Sequence, residues 1–268
     1  MYGKMHCITL TLFLTSTMLY GSDKIVSVVT LGDYAPFSFI VSNSIVEKVV
    51  PPGDKVTGYQ GYSWDVLRES FHAMGYTIKL SIAPWPRAMQ AFKSGKVDVL
   101  FPTGMNDERL KVFDYSLEFI NEAKFLFYVR ADTPIKWTGL ESLKNLVIGV
   151  KRGFNYGDKW NSVDYVTKYD VTSTIQGFKM LDKGRIDGVI GYENTWDYIL
   201  KQQGWNQKYT KTPSFDSSKE YVVVLKTNPN GQEFLQDFDT GKQKLIQSGR
   251  LEEIENFWFG TDESIMKE

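Results

Sequence analysis

A short unit occurs twice in this chain, and it narrows the folds available. The first copy is Phe92-Lys93-Ser94-Gly95-Lys96-Val97-Asp98-Val99-Leu100-Phe101. The second is Phe178-Lys179-Met180-Leu181-Asp182-Lys183-Gly184-Arg185-Ile186-Asp187-Gly188-Val189-Ile190. Each reads as a helix end, a glycine, a basic residue, a β-branched residue, an aspartate and an apolar strand. Gly95 and Gly184 suit the left-handed residue that closes a helix, because no Cβ clashes there. Val97 to Phe101 is a buried-strand run, and Pro102, which has no N–H for a ladder, is expected to end it. Polar loops follow: Thr103, Gly104, Asn106 and Arg109 after the first copy, Tyr192 and Glu193 after the second. Any α/β protein holds one helix–glycine–strand passage. Two with matching Gly-basic-β-branched-Asp imply two similar α/β lobes. Ligands of open α/β sheets sit outside the carboxyl ends of the strands, so two such ends facing each other form a cleft.

The 268 residues allow one large or two small domains, with 42% hydrophobic and 24% charged residues, as in an ordinary globular protein. A net charge of −1 gives no reason to expect a nucleic-acid partner. The N-terminus reads as a secretory signal peptide over residues 1–22: Lys4 and His6 precede an uncharged run from Cys7 to Leu19, too short and Thr-rich for a comfortable membrane span. An uncleaved anchor is the other reading. Cleavage after Gly21 or Ser22 removes Cys7, the single cysteine, and leaves His72 as the single histidine. Neither a disulfide, a thiolate nucleophile nor a histidine metal cluster is then expected, and no cofactor.

In chain order, Lys24 to Leu31 is a β-branched strand. Residues 41–60, with Pro51-Pro52-Gly53, read as an exposed loop or hairpin. Trp64, Leu67, Phe71 and Met74 fall at helical spacing behind Ser63 or Asp65 as a cap. Thr77 to Ile82 is a strand. At its end Trp85 and Arg87 offer a platform and a charge to a ligand, or else form a surface cation–π pair. Arg152-Gly153-Phe154-Asn155-Tyr156-Gly157 opens a helix whose free N–H groups favour an anion. Phe234 to Phe259 is helical, with Phe257 among its core contacts.

Several short stretches carry a resemblance, in order: Tyr34-Ala35-Pro36-Phe37-Ser38-Phe39, Gly61-Tyr62-Ser63-Trp64-Asp65, Gly95-Lys96-Val97-Asp98, Glu108-Arg109, Gly149-Val150-Lys151-Arg152-Gly153 and Gly184-Arg185-Ile186-Asp187. Together they resemble the family 3 bacterial extracellular solute-binding proteins, which feed polar amino acids to ABC importers, over nearly the whole mature chain. The resemblance implies an α/β, two-lobed periplasmic binding protein fold (type II), each lobe a mixed sheet flanked by helices, with two hinge crossovers at Lys124–Arg130 and Glu220–Leu225. Lobe 1 is then residues 23–128 plus 223–260, lobe 2 residues 129–222, and 261–268 a C-terminal tail.

The same resemblance implies roles. Tyr34 and Phe37 cover the ligand, although Phe37 also fits a core position. Arg109 holds the ligand's carboxylate through its planar fork; the other reading is an ion pair with Glu108 or Asp114. Asn106 stands where the family has threonine. Gly153, Phe154 and Asn155 replace a Gly-Thr-Thr carboxylate loop, with Asn155 substituting for the hydroxyls. The family's ammonium-binding acid falls at Tyr192, or at Glu193 if the register slips by one; Glu193 as an ordinary helix-opening residue is the alternative. The function implied is capture of a small polar ligand, an amino acid or related carboxylate, by a periplasmic, monomeric protein without catalytic residues or metal, which delivers it to the membrane permease of an ABC importer. Two alternatives stand beside it: a dehydratase-like enzyme on the same fold, and a stand-alone sensor module.

Overall fold

The computed structural model describes residues 24–42 and 47–259. The signal segment 1–22 and the tail 261–268 lie outside the described residues. The first part of the chain runs β1 (Lys24–Thr30), β2 (Asp33–Tyr34), β3 (Ser38–Ile40), β4 (Glu47–Val50), β5 (Tyr59–Gln60), α1 (Tyr62–Ala73), β6 (Tyr76–Ile82), α2 (Trp85–Lys93), β7 (Val99–Gly104), α3 (Asp107–Leu110), β8 (Phe113–Tyr115) and β9 (Asn121–Arg130). After a 3-10 turn at Leu140–Leu143 come β10 (Val147–Lys151), α4 (Gly157–Asn161), β11 (Thr167–Val171), α5 (Thr174–Asp182), β12 (Gly188–Tyr192), α6 (Glu193–Gln202), β13 (Tyr209–Lys211), β14 (Asp216–Leu225), α7 (Gly231–Gln247) and α8 (Arg250–Phe259).

The strands order as β11-β10-β12-β9-β14-β7-β1-β6-β4. β7, β1 and β6 are parallel to one another, as are β11, β10 and β12. Between these halves run β9 and β14, antiparallel partners from Asp216↔Phe125 to Glu220↔Asn121. The chain thus crosses between the two lobes on two paired strands. Lobe 1 closes its core where Phe71 of α1 meets Phe238 of α7, ring centroids 6.1 Å apart. Lobe 2 packs Phe178 of α5 against Tyr128 and Tyr209 at 5.6 and 4.7 Å.

The repeated unit performs the same task in each lobe. Gly95 and Gly184 take φ of 71° and 62°, the left-handed conformation that closes α2 and α5. The aspartate that follows reaches sideways to the neighbouring parallel strand. Asp98 Oδ2 accepts the Ser27 N–H at 2.9 Å and the Ser27 hydroxyl at 2.5 Å, and Asp187 Oδ2 accepts the Val147 N–H at 2.8 Å. Each carboxylate satisfies a backbone donor beside the start of the following strand and so sets the register of two strands. Asp98 also accepts from Asn228 Nδ2 at 3.3 Å. Asp98→Ala is therefore expected to cost about 2 kcal/mol and Asp187→Ala about 1 kcal/mol, from the hydrogen bonds each loses. Thermal melting of the two variants checks this, and equal shifts would contradict it.

The structure corrects several local expectations. Pro102 does not end its strand: β7 continues to Gly104. Pro102 sits beyond the last residue paired to β1 and at the irregularity in pairing with β14, between Tyr221 and Val223, so its missing N–H breaks no ladder bond. Within residues 41–60, read as an exposed loop or hairpin, the strands do not pair with each other: β4 forms the sheet edge against β6 and β5 pairs β3. Gly61, not Ser63 or Asp65, caps α1. Ser63 lies inside the helix and donates to Asn121 Oδ1 at 2.8 Å, while Asp65 accepts from Trp258 Nε1 at 2.9 Å. The C-terminal helix is two helices broken at Gly249, φ 78°, and Phe257 is exposed rather than core.

Candidate functional site

The carboxyl ends of β1, β7 and β12, with the β10–α4 loop, converge on a small cavity between the lobes. β7 presents Pro102 and Gly104 to it. Thr103, between them on an alternating strand, points away and is fully buried. The next turn, α3, is capped by Asn106, whose Oδ1 accepts the Arg109 N–H at 2.9 Å. That cap fixes where Arg109 emerges. Its guanidinium lines the cavity, donates to the Gly104 carbonyl at 2.8 Å and stands 5.8 Å over the Trp85 ring. The anticipated surface ion pair does not form: Glu108 pairs with Lys111, and Asp114 with Gln232. One bond to a carbonyl leaves most of the donor fork available.

The rest of the wall is aromatic and crosses from lobe to lobe. Tyr34 meets Phe154 edge-on at 6.0 Å and Tyr192 at 5.7 Å. Trp85 donates Nε1–H to the Gly153 carbonyl at 2.9 Å. Gly153 has φ +77°, and a Cβ there would lie 3.2 Å from Trp85 Cδ1, so glycine is required for both conformation and approach. Asn155 donates to the Met105 carbonyl at 3.2 Å. Lys151, buried at the end of β10, pairs with Asp33 Oδ2 at 2.6 Å and lies 4.2 Å over the Phe154 ring. Burial pushes the Lys151 ammonium down from its ordinary value, and Asp33 opposes that shift. Both lobes thus meet through side chains that surround the cavity.

Of the residues singled out from sequence, Tyr34, Trp85, Gly104, Arg109, Phe154, Asn155 and Tyr192 line this cavity. The others do not. Phe37 backs Tyr34 from behind, ring centroids 5.1 Å apart. Arg87 is exposed on the first turn of α2. Thr103, Asn106 and Gly153 support the wall without forming it. Glu193 opens α6 and is paired with Lys211 at 2.7 Å, so the register does not slip and Tyr192 takes the cavity position. Its hydroxyl donates to the Asn155 carbonyl at 2.5 Å.

The helix start expected to hold an anion is short and partly occupied. α4 begins at Gly157 and is five residues long. The Gly157 N–H is already taken by Asn155 Oδ1 at 3.3 Å, a local side-chain turn that competes with any ligand.

Sequence reasoning missed Leu31, Pro102 and, above all, Glu220 in this wall. Glu220 is 5% exposed and sits where β14 passes from β9 to β7, opposite Asn121 on one side and Gly104 on the other. Its Oε2 accepts the Tyr34 hydroxyl at 2.6 Å and Asn121 Nδ2 at 2.5 Å. Burial pushes its carboxyl up to about 7, against the opposing pull of the Tyr34 and Asn121 hydrogen bonds and the Arg109 charge. The available signal was an acidic residue placed directly before the apolar run Tyr221-Val222-Val223-Val224-Leu225.

The sequence matches the bacterial extracellular solute-binding proteins, family 3, over residues 26–261. The chain belongs to that family. The L-cystine-binding protein TcyJ of Bacillus subtilis (strain 168) is 26% identical over 220 residues, covering 76% of this chain and 77% of the relative. Among solved structures, a mutant of ArgBP from T. maritima superposes with TM-score 0.72 at 19% identity, over 88% of this chain and 95% of that one. A histidine kinase sensor domain with similarity to periplasmic binding proteins gives TM-score 0.73 at 20% identity, over 89% and 97%. At these identities the structures establish the fold, which is the two-lobed type II binding-protein fold. As a member of family 3, the protein is a solute-binding protein. Among the described residues no helix is long and apolar enough to cross a membrane.

Proposed function

We propose that this family 3 protein captures a small amino acid, or a closely related carboxylate, in the cavity between its lobes and hands it to the permease of an ABC importer. In this reading it works in the periplasm as a monomer after losing residues 1–22. Residues 23–128 with 223–260, and 129–222, are the bodies that close on the ligand. The observation that carries the reading is Arg109: its guanidinium lines an aromatic-walled cavity, and among the described residues no carboxylate is paired to it. A guanidinium with unused donors in a low-dielectric cleft is matched to a ligand carboxylate. The amino-acid names carried by TcyJ and ArgBP point to the same class.

One observation supports the dehydratase-like alternative, namely that a buried carboxyl titrating near neutrality suits a general acid. A single experiment weighs both. The mature protein is melted in the presence of each common amino acid, L-cystine, dicarboxylates and polyamines. A ligand at a hundredfold over its dissociation constant adds about 2.7 kcal/mol, so an amino acid is expected to raise the midpoint by several degrees and to be recovered unchanged afterwards. A rise with none of the amino acids would sink the binding reading, and a chemically altered ligand would favour the enzyme.

A further inference from the structure

The cavity holds an arginine and a carboxyl that make no direct contact with each other. Arg109 enters from α3 and Glu220 from β14, and among the described residues no ion pair joins them. Both hydrogen bonds that Glu220 receives fall on Oε2, which leaves Oε1 as an acceptor without a protein partner in the cavity wall. Asn121 is itself held, since its Oδ1 accepts the Ser63 hydroxyl at 2.8 Å. The carboxylate is thus fixed by a chain of contacts from β2, β9 and α1. No other carboxylate lines this cavity among the described residues: Glu193 and Asp197 both face Lys211, at 2.7 and 2.6 Å, and Asp33 is taken by Lys151. The wall beside Glu220 consists of the rings of Tyr34, Phe154 and Tyr192, whose faces attract cations.

We propose that Glu220 is the group that recognises the ligand's protonated primary amine, and that Tyr34 and Asn121 position its carboxylate for that contact. The assignment rests on the amino-acid reading above and narrows it: the ligand spans the cavity with its carboxylate at Arg109 and its ammonium at Glu220, on the crossover strand rather than on a lobe 2 loop. Because β14 is one of the two strands joining the lobes, the ligand's positive end is read at the hinge itself.

The contact has a pH signature. Burial raises the Glu220 carboxyl to about 7, so below that pH the free protein holds a proton there, and an arriving ammonium has to displace it. The groups facing Glu220 are Tyr34 from β2, Tyr192 from β12, Arg109 from α3 and the neutral Asn121 from β9. Burial, with the nearby Glu220 charge, raises both tyrosines well above their ordinary value, so neither titrates near neutrality. His72 contacts Val50 at the far end of α1, outside the cavity. A free amino acid keeps both its charges over this range. Affinity is therefore full above pH 7 and falls as pH drops, by about tenfold per unit once Glu220 is protonated in the free protein, or about 30-fold at pH 5.5.

The test measures binding of L-alanine and L-phenylalanine, and of their hydroxy counterparts L-lactate and L-phenyllactate, to wild type and Glu220→Gln at pH 5.5 and pH 8. Wild type is expected to prefer the amine by at least about 100-fold at pH 8 and to lose about 30-fold in affinity at pH 5.5. Glu220→Gln, which keeps shape and an acceptor but not the charge, is expected to cut the preference below about tenfold and to bind equally at both pH values. If both amino acids bind but Glu220→Gln keeps the wild-type preference and pH profile, the assignment of Glu220 falls while the amino-acid reading stands. Should Glu220→Gln fail to melt cooperatively, the wild-type data decide: a flat pH profile or equal binding of hydroxy and amino compounds overturns the proposal. If no amino acid binds wild type in the broader screen, both readings fall together.

Discussion

Arg109→Ala is expected to weaken ligand binding by at least about 100-fold while leaving the fold nearly untouched. The two halves of this result have separate causes. In the unliganded protein Arg109 makes one side-chain bond, to the Gly104 carbonyl at 2.8 Å, and is only half-buried. Its removal should therefore cost about 1 kcal/mol of stability, the worth of a single hydrogen bond. In the complex the ligand carboxylate would lose a bidentate, charge-assisted partner between the lobes, a loss of roughly 2–5 kcal/mol when one member of a buried charge pair is truncated. Arg109→Lys should fall between, because an ammonium keeps the charge but not the fork. Calorimetric titration with the best ligand, alongside a melt of each free variant, measures both halves. Affinity within fivefold of wild type for Arg109→Ala would remove Arg109 from the site.

Gly241→Ala should produce a large loss of stability for a single added methyl. A Cβ at Gly241 of α7 would lie 2.1 Å from the Ser70 carbonyl oxygen and 2.7 Å from its carbon. The obstacle is the backbone of α1, so no side chain can swing aside; the helices themselves must part. α7 carries Phe234, Leu235, Phe238 and Leu245 in the lobe 1 core, and separating it from α1 loosens all of them. Overpacking typically costs 1–3 kcal/mol, and a clash against main chain belongs above that range, at about 3–5 kcal/mol. Against a total stability of about 5–15 kcal/mol, this is expected to drop the melting midpoint by about 10 °C. Gly177→Ala is the control of opposite sign. Its Cβ would meet Val189 methyls at 3.4 and 3.5 Å, ordinary contact, and alanine is the better helix former by about 1 kcal/mol. Circular-dichroism melts decide, and a Gly241→Ala midpoint within 2 °C of wild type would refute the packing argument.

Much of the architecture was written locally. The glycines that close α2 and α5, the aspartates behind them and the apolar strands could be read because each depends on neighbours a few residues away. The Lys124–Arg130 and Glu220–Leu225 segments were legible as strands for the same reason, and the motifs in order carried the two-lobed fold and the family. Where a residue's role depends on distant partners, the sequence was silent or misleading. Glu193 looked available as an acid, but Lys211 on β13 pairs with it. Asn155 does line the cavity, but its bonds to the Met105 carbonyl and the Gly157 N–H could not be read from the sequence. Pro102 looked like a strand end because its tolerance depends on an irregular pairing with β14.

Glu220 is the clearest case. Its burial, its bonds to Tyr34 and Asn121 and its raised carboxyl pKa arise only when β2, β9 and β14 meet at the junction of the lobes. By itself the sequence determined the two α/β units, their periodicity and the arginine at the end of one of them, since helix ends, strand runs and caps are short-range properties of the chain. Tertiary structure alone decided which charges are paired and which face the cavity, because desolvation and ion pairing depend on what lies opposite in space, and residues far apart in the chain supply it.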